Sequence, residues 1–354
     1  MSARDYRSSV SRHSESGKVS WFEQILFKIY ADFSHGRIIA HSGKKEKLNA
    51  KIISIGNITF GGSGKTPFVE YLARHYATRG IKTGIASSGY GGLAREKGAL
   101  VSDGKSLKSD IESAGDESIM LARNLSDLNV PIFIHMNRII AAKELIEKFK
   151  CQVLILDDAF HFVSIEKDAD ILLVNALNPL TGQLLREPLS AMKRADCVIV
   201  TNRNLVEERV FSSIEKTIRN NNFDGSIFMS EYLPSRVYRS NADGVELVEI
   251  PDFKLIPLSG IGNPSGFEHS LRILGLTFDQ PIRFDDHHIY TEKDAILINN
   301  AISEENAYGL ITTSKDLVRL EKIAKIIKGI IFILHSEIHI QDEFMKWLDK
   351  KIQL

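Results

Sequence analysis

The chain has 354 residues, room for about two domains of ~150 residues each, and its 43% hydrophobic and 25% charged residues are ordinary globular usage. Its 45 Lys and Arg residues balance 45 Asp and Glu residues, which argues against a nucleic-acid-binding protein. Two cysteines cannot form a disulfide framework, and both lie in apolar runs, so we expect buried thiols in a reducing compartment. No apolar run approaches the ~18 residues of a membrane-spanning helix, and no secretory signal is visible.

The N-terminal segment differs from the rest of the chain in charge and pattern. Residues 1–51 carry ten Lys and Arg against five Asp and Glu, a local net charge of +5. Apolar and aromatic residues recur at helical spacing from Trp21 to Phe33, and Ser20 with Glu23 has the spacing of a capping box. The pattern leaves two interpretations open, a helix packed in the core and an amphipathic helix on an anionic membrane surface.

From Lys51 to about residue 225, short apolar strands alternate with helices. The predicted strands are Ile52–Ile55, Thr83–Ser87, Pro131–Met136, Cys151–Leu156, Ile171–Val174 and Cys197–Thr201. Strands that are apolar throughout, separated by helices, are typical of a parallel sheet covered on both faces. Ligands of such sheets bind at the carboxyl ends of the strands.

The second half begins with strand-like residues around a turn-rich stretch, Ser240–Gly244, which predicts a two-stranded, hairpin-like linker over 226–250. After it, strands and helices alternate again to the end of the chain. The sequence therefore predicts four parts: an N-terminal helix and lead-in (1–50), a nucleotide-binding domain (51–225), the linker (226–250) and a smaller α/β domain (251–354).

The strongest chemical signal is the glycine-rich segment Gly-Asn-Ile-Thr-Phe-Gly-Gly-Ser-Gly-Lys-Thr-Pro at 56–67, between a strand and an amphipathic helix. Such a loop can wrap its backbone N–H groups around phosphates, with Lys65 reaching the terminal phosphates and the Thr66 hydroxyl holding Mg²⁺. The segment is a variant, because Thr59 stands where the strict pattern has Gly. We name residues 57–66 the phosphate loop and predict these nucleotide-binding residues: Thr59, Phe60, Gly61, Gly62, Ser63, Gly64, Lys65 and Thr66.

Three further motifs carry acidic or imidazole groups. Asp157 and Asp158 end an apolar strand, where a carboxylate either holds the Mg²⁺ of a nucleotide or caps a helix. Gly115-Asp116-Glu117 precedes a helical run and by itself predicts a helix N-cap. Asp285-Asp286-His287-His288 follows a short strand and suggests metal binding or general-base chemistry, the alternative being a polar strand end.

Taken together these motifs resemble the tetraacyldisaccharide 4′-kinases, the lipid A 4′-kinases. The matching motifs occur in order over about residues 20 to 320: the phosphate loop, Ser87–Gly92, Gly115–Glu117, Leu156–Phe160, Leu185–Ser190, Ser259–Pro264, Phe284–Thr291 and Thr312–Asp316. The chain departs from the family at Ser88, usually Arg, and at His161-Phe162, usually Gln-His. The segment before Arg186 is shortened.

The resemblance implies an enzyme that transfers the γ-phosphate of ATP to the 4′-hydroxyl of a tetraacyldisaccharide 1-phosphate, forming lipid IVA. Its fold would be α/β, a P-loop NTPase-like parallel sheet with helices on both faces plus a second smaller α/β domain. Asp116 and His287 would be the catalytic pair, with Asp116 as the base and His287 raising its basicity, and closure of two domains would bring them to the substrate. The implied ligands of Mg²⁺ are Thr66, Asp157, Asp158 and Glu187.

The resemblance also implies the cofactors ATP and Mg²⁺ and an acylated disaccharide lipid as the substrate. The N-terminal helix would bind the membrane surface, at the cytoplasmic face of the bacterial inner membrane, as in a peripheral protein. We expect no nucleic-acid partner and no obligate protein partner.

Three other functions stay open on the sequence: a P-loop GTPase or metallochaperone, a nucleotide-binding subunit without chemistry, and a soluble small-molecule kinase. Thr201-Asn202-Arg203-Asn204 ends a strand but lacks the Asp of the guanine-binding signature, which argues against the first. The N-terminal helix argues against the last.

Overall fold

The structure, a computed structural model, describes residues 43, 45–59, 62–178, 180, 185–241, 244–250 and 252–354. The predicted N-terminal helix and the loop residues Phe60 and Gly61 lie outside these residues. The chain divides into two compact units: unit 1 is Met1–Lys65, Asp158–Ser230 and Gln341–Leu354, and unit 2 is Thr66–Asp157 and Glu231–Ile340. Each unit joins segments far apart in sequence, and the four consecutive parts of the chain stay a prediction.

The described strands, in chain order, are β1 (Lys51–Gly56), β2 (Thr83–Ser87), β3 (Ala99–Asp103), β4 (Pro131–Ile134), β5 (Val153–Leu156), β6 (Ala169–Asn175), β7 (Cys197–Thr201), β8 (Ser226–Asn241), β9 (Gly244–Val248), β10 (Leu255–Ser259), β11 (Ile282–Arg283), β12 (Gly309–Thr313) and β13 (Ile330–Ile340). The described α-helices are α1 (Lys65–Thr78), α2 (Ile111–Ala114), α3 (Asp116–Asn124), α4 (Arg138–Phe149), α5 (Glu208–Asn220), α6 (Pro264–Ile273), α7 (Glu292–Glu304), α8 (Ser314–Leu320) and α9 (Asp342–Ile352).

In unit 1, β1, β6, β7 and the start of β8 pair in parallel. Every residue of β6 and β7 is buried, as expected for strands covered on both faces. Helix α5 contributes Ile214 and Ile218 to the same hydrophobic core as Leu172 and Val198. At ~25 cal/mol per Å² of buried apolar surface, such contacts are the main stabilisation of this sheet.

In unit 2, β5, β2 and β4 pair in parallel and β3 joins β4 in antiparallel orientation. Strands β11, β10, β12 and β13 form a second parallel group. Ile256, Leu258 and Leu310 pack in one core with Ile298 of α7 and Leu320 of α8. Strand β3 was not predicted, since its sequence ALVSD has a short apolar stretch.

The predicted α/β fold class is confirmed, including the parallel sheet and the two-stranded connection. Strand β8 pairs with β9 in antiparallel register, with Val237 opposite Val248 and Asn241 opposite Gly244. Strands β1, β2, β5, β10 and β12 each end at the start of one of the sequence motifs. The motifs therefore stand at the carboxyl ends of parallel strands, where open α/β sheets bind their ligands.

Candidate active site

The phosphate loop of unit 1 begins where β1 ends, and its glycines have identifiable structural reasons. A Cβ atom at Gly56 would lie 2.6 Å from the backbone nitrogen of Phe160, so no larger residue fits there. Gly64 has φ of +78°, the left-handed region that favours glycine, directly before α1 begins at Lys65. Strand, tight turn and helix thus follow in the order that a phosphate-binding loop requires.

Side chains at the ends of β6 and β7 hold the backbone of the phosphate loop. Asn175 donates from Nδ2 to the carbonyl oxygen of Gly62 at 2.8 Å. Thr201 donates from Oγ1 to the carbonyl oxygen of Ser63 at 3.2 Å. Sequence reasoning missed both roles, although each residue is a polar group that ends an entirely buried strand.

Lys65 lies among polar partners within unit 1. Its Nζ donates to Oδ1 of Asn57 at 3.2 Å and lies 3.7 Å from Oδ1 of Asp158. Arg186 binds the same carboxylate, with Nη1 at 2.9 Å from Oδ2. The backbone N–H of Arg186 donates to the carbonyl oxygen of Ile58, so the loop itself positions this arginine.

Asp158 carries two signs of a specialised residue. Its φ is +48°, in the left-handed region that few non-glycine residues adopt and that is enriched at functional sites. Burial by itself would raise the pKa of its carboxyl, but the charges of Lys65, Arg186 and His161 outweigh burial and hold the pKa far below its usual range. Asp158 is therefore an anion at any physiological pH.

The four predicted Mg²⁺ ligands are divided between the two units. In unit 2, Thr66 lies buried in the first turn of α1, and Asp157 accepts a hydrogen bond from Oγ of Ser87 at 3.1 Å. The other two predicted ligands, Asp158 and the buried Glu187, belong to unit 1. Glu187 lies 2.8 Å from Nη2 of Arg194, which neutralises its charge. The described residues include no group of three His, Cys, Asp or Glu that could hold a metal by itself. The metal role of these four residues stays a prediction.

In unit 2 the structure brings together Asp116 and His287, which are 171 positions apart in the chain. Nδ1 of His287 lies 3.2 Å from Oδ2 of Asp116. Asp116 is the first residue of α3, after Gly115 with φ of +82°, and a Cβ atom at Gly115 would lie 2.4 Å from the carbonyl oxygen of Tyr90. His287 also has a positive φ, +64°. We call these two residues the acid–histidine pair; they meet within one compact unit, although the sequence placed them on different domains.

Two cations of α8 surround the acid–histidine pair. Nη2 of Arg319 lies 2.5 Å from Oδ2 of Asp116. Nζ of Lys315 lies 3.4 Å from Nε2 of His287 and 3.1 Å from Oε1 of Glu117. Arg319 was absent from the sequence-based candidates, although its spacing of four from Lys315 places both on one face of a helix.

The charges around Asp116 correct one expectation. Burial raises the pKa of the Asp116 carboxyl, but the hydrogen bond from His287 and the charges of Lys315, Arg319 and His287 outweigh it, so the pKa lies below its usual range. The expectation that His287 raises the basicity of Asp116 is therefore wrong, because a donor to a carboxylate stabilises its ionised form. The hydrogen bond from His287 instead holds Oδ2 of this carboxylate in place.

The same contacts select the tautomer of His287. Burial lowers the pKa of Lys315, but Glu117, Asp286 and Asp116 outweigh burial and raise it, so Lys315 is an ammonium that only donates. Nε2 of His287 must then be the acceptor, and Nδ1–H donates to Asp116. Both ring nitrogens of His287 therefore have a polar partner.

In the part of the chain that the structure describes, no helix is long and apolar enough to cross a membrane.

Comparisons with known proteins agree with this geometry. The family model described as tetraacyldisaccharide-1-P 4′-kinase matches residues 20–353. The chain is similar to the tetraacyldisaccharide 4′-kinase of Elusimicrobium minutum, 37% identical over 84% of this chain and 81% of that protein, and to that of Halothermothrix orenii, 33% identical over 79% and 76%. It is also similar to the crystal structure of LpxK from Aquifex aeolicus in complex with ATP, with a TM-score of 0.69, 26% identity, and coverage of 93% of this chain and 96% of that one.

Proposed function

The chain belongs to the tetraacyldisaccharide 4′-kinase family, and we propose that the phosphate loop holds ATP while Asp116 is the base that activates the sugar hydroxyl. The chain is an ATP-dependent kinase of lipid A biosynthesis, and its acceptor is the 4′-hydroxyl of the acylated disaccharide 1-phosphate. The bond from that hydroxyl oxygen to the γ-phosphorus forms, the bond from phosphorus to ADP breaks, and the hydroxyl proton goes to Asp116. The observation that carries the proposal is the acid–histidine pair itself, two distant motifs joined at 3.2 Å.

The phosphate loop fits the triphosphate of ATP chemically. Its backbone turns at Gly64, and Lys65 places an ammonium group beside it, 13% exposed. An ammonium there stabilises the negative charge that shifts from the γ-phosphoryl group to ADP. Arg186, which binds Asp158 and donates its backbone N–H to the loop at Ile58, is a second cation next to the loop.

The residues at the proposed Mg²⁺ site have donor atoms of the kind that Mg²⁺ binds. Asp158 is an ionised carboxylate after a strand end, Asp157 is a second carboxylate, and Thr66 supplies a hydroxyl at the start of α1. Mg²⁺ prefers a site of one or two carboxylates completed by substrate phosphates, and when bound it neutralises charge on the transferred group. The Arg194 partner of Glu187 makes that residue a support for the segment that carries Arg186.

We propose that one particular oxygen of Asp116 accepts the proton. Oδ2 accepts from Nε of Arg319 at 2.7 Å and from Nδ1 of His287 at 3.2 Å. Oδ1 accepts the backbone N–H of Glu117 at 2.9 Å, which leaves lone-pair capacity on that oxygen. We therefore assign proton acceptance to Oδ1, and positioned bases of this kind contribute ~10²–10⁴-fold to rate.

The test of this function is a transfer assay with γ-labelled ATP, Mg²⁺ and the tetraacyldisaccharide 1-phosphate. Label is expected on the lipid only when acceptor and ATP are both present, with a strong preference for ATP over GTP. Hydrolysis of GTP without acceptor, and no labelled lipid, would instead support a GTPase.

The Mg²⁺ proposal predicts that Asp158→Asn and Asp157→Asn each raise the Mg²⁺ concentration for half-maximal rate by about tenfold or more. The reason is the loss of a charged oxygen that the metal would otherwise contact directly or through water. The measurement is a Mg²⁺ titration at saturating ATP, with Asp127→Asn, an exposed acid paired with Arg74, as the control. Identical titration curves for all variants would show that both carboxylates are structural.

Membrane association through the N-terminal segment is a further part of the proposal, supported by its +5 charge and its aromatic stripe. Removing residues 1–33 is expected to abolish sedimentation with vesicles containing anionic lipid and to lower the rate on lipid in bilayers. The rate on detergent-dispersed acceptor should fall much less. A truncated protein that still sediments would contradict the anchor, and one that no longer folds would favour the core-helix interpretation. Binding at the cytoplasmic face of the inner membrane agrees with the location of ATP in bacteria.

A further inference from the structure

Arg319 is the more deeply buried of the two α8 cations that contact the acid–histidine pair. Its side chain is 5% exposed, and three of its contacts are short. Nε and Nη2 lie 2.7 and 2.5 Å from Oδ2 of Asp116, and Nη1 donates to the carbonyl oxygen of Gly260 at 2.7 Å. A guanidinium with donors on three edges is planar and rigid, so its contacts fix the position of the group it binds.

A buried carboxylate fixes Arg319 in turn. Asp316, one turn earlier on α8, is fully buried, and its Oδ1 lies 3.5 Å from Nη1 of Arg319. The same oxygen accepts Tyr290 Oη at 3.0 Å and the backbone N–H of Gly260 at 3.1 Å. Oδ2 of Asp316 accepts Oγ1 of Thr313 at 2.8 Å. Both oxygens of the buried Asp316 carboxylate thus accept hydrogen bonds, which fixes this carboxylate beside Arg319.

We propose that Arg319 is a positioning residue of the phosphoryl-transfer reaction, which orients Asp116 so that Oδ1 faces the reacting hydroxyl. Asp316 and Tyr290 hold Arg319 for this role. The inference rests on the proposed role of Asp116 as the base. It adds a second support for the base that does not depend on His287.

The alternative is that Arg319 serves only to join α3 to α8. Arg123 and Glu321 already make a separate link between these elements, with Nη2 at 2.7 Å from Oε1 on the protein surface. Arg319 differs because two of its nitrogens, Nε and Nη2, contact a single oxygen of Asp116. Binding both donors to Oδ2 leaves Oδ1 with the N–H of Glu117. A purely structural pair would not need this division between the two oxygens.

The charges that face Asp116 set the expected pH dependence. His287, Lys315 and Arg319 are the cationic or donor groups, while Asp286 and Glu117 partly neutralise Lys315. Asp116 accepts a proton only when it is ionised, so activity falls as the pH drops through its pKa. Removing the charge of Arg319 raises that pKa and moves the acidic limb of the rate profile to higher pH.

The experiment compares the full-length wild type with Arg319→Gln, Arg319→Lys, Asp116→Asn and the control Arg123→Gln. It measures kcat and the KM for ATP in the lipid phosphorylation assay from pH 3 to 9, a range that reaches below the usual pKa of an Asp carboxyl. Rates are divided by the fraction of molecules that bind ATP, so that unfolded protein does not count. Arg319→Gln is expected to lower kcat about 10²-fold with an unchanged KM for ATP, and to move the acidic limb upward. Arg319→Lys keeps the positive charge but loses the paired N–H donors of the guanidinium group. The acidic limb of its pH–rate profile therefore stays near that of the wild type, while kcat falls about tenfold.

Each outcome decides between the possibilities. An Arg319→Gln protein with wild-type kcat and an unmoved acidic limb overturns the proposal, as does equal loss in Arg123→Gln. If Arg319→Gln does not fold, Arg319→Lys decides alone, and a wild-type kcat in that variant overturns the proposal. Near-normal turnover by Asp116→Asn would show that Asp116 is not the base. An inactive Asp116→Asn beside fully active Arg319 variants removes only the role of Arg319.

Discussion

Replacing Lys65 with alanine is expected to lower kcat by about 10²–10³-fold, because the phosphate loop loses its ammonium group. The loss should appear chiefly in kcat, since the charge that Lys65 stabilises is greater in the transition state than in bound ATP. The fold should survive, because Asp158 keeps Arg186 as a partner at 2.9 Å.

The measurement is steady-state transfer from ATP to lipid acceptor, together with calorimetric ATP binding. Lys47→Ala is a matched control, since that lysine pairs with Glu166 and is 80% exposed. An unchanged kcat in Lys65→Ala would show that this lysine does not stabilise the transferred group. Equal losses in both variants would show that the effect is not specific to the loop.

The second large effect concerns the acid–histidine pair. Asp116→Asn keeps the shape of the side chain and removes the base, and we expect kcat to fall by about 10²–10⁴-fold. His287→Ala removes the donor that orients Oδ2 and should cost a large part of the same effect. If the two act as a unit, the double variant is little slower than the slower single variant. ATP binding is expected to survive in all three, because the phosphate loop is unaltered.

The two residues that flank His287 in the chain provide control variants, because each has contacts different from those of His287. Nε2 of His288 lies 3.1 Å from Asp294, and its ring stacks on Phe284 at 4.4 Å, so it belongs to the start of α7. Oδ2 of Asp286 lies 3.8 Å from Nε2 of His287 and is the alternative partner. Transfer rates of His288→Ala and Asp286→Asn are expected to stay within about tenfold of the wild type. Additive losses at Asp116 and His287, or a normal rate in either variant, would exclude the pair as a unit.

Much of the fold followed from the chain alone, because its signals are local. Strands β6 and β7 are uninterrupted apolar runs, and such runs between helices are typical only of parallel strands buried on both faces. The tight turn at Gly64 and the lysine after it are likewise encoded in six consecutive residues. The edge strand β3 was missed, because edge strands are short and their pairing depends on a neighbour.

The sequence by itself determined the α/β class, the phosphate loop and the motifs at the strand ends, because each of these depends on residues that are neighbours in the chain. Only the tertiary structure decided the electrostatics of Asp116. Its bond to His287, its two donors from Arg319 and the charge of Lys315 come from segments 171 to 203 positions away. Their combined charge lowers the pKa of the carboxyl, contrary to the expected increase, because donors packed around a buried carboxylate outweigh its burial. A pKa is a property of the groups within a few ångströms in space, and spacing along a chain does not contain those distances.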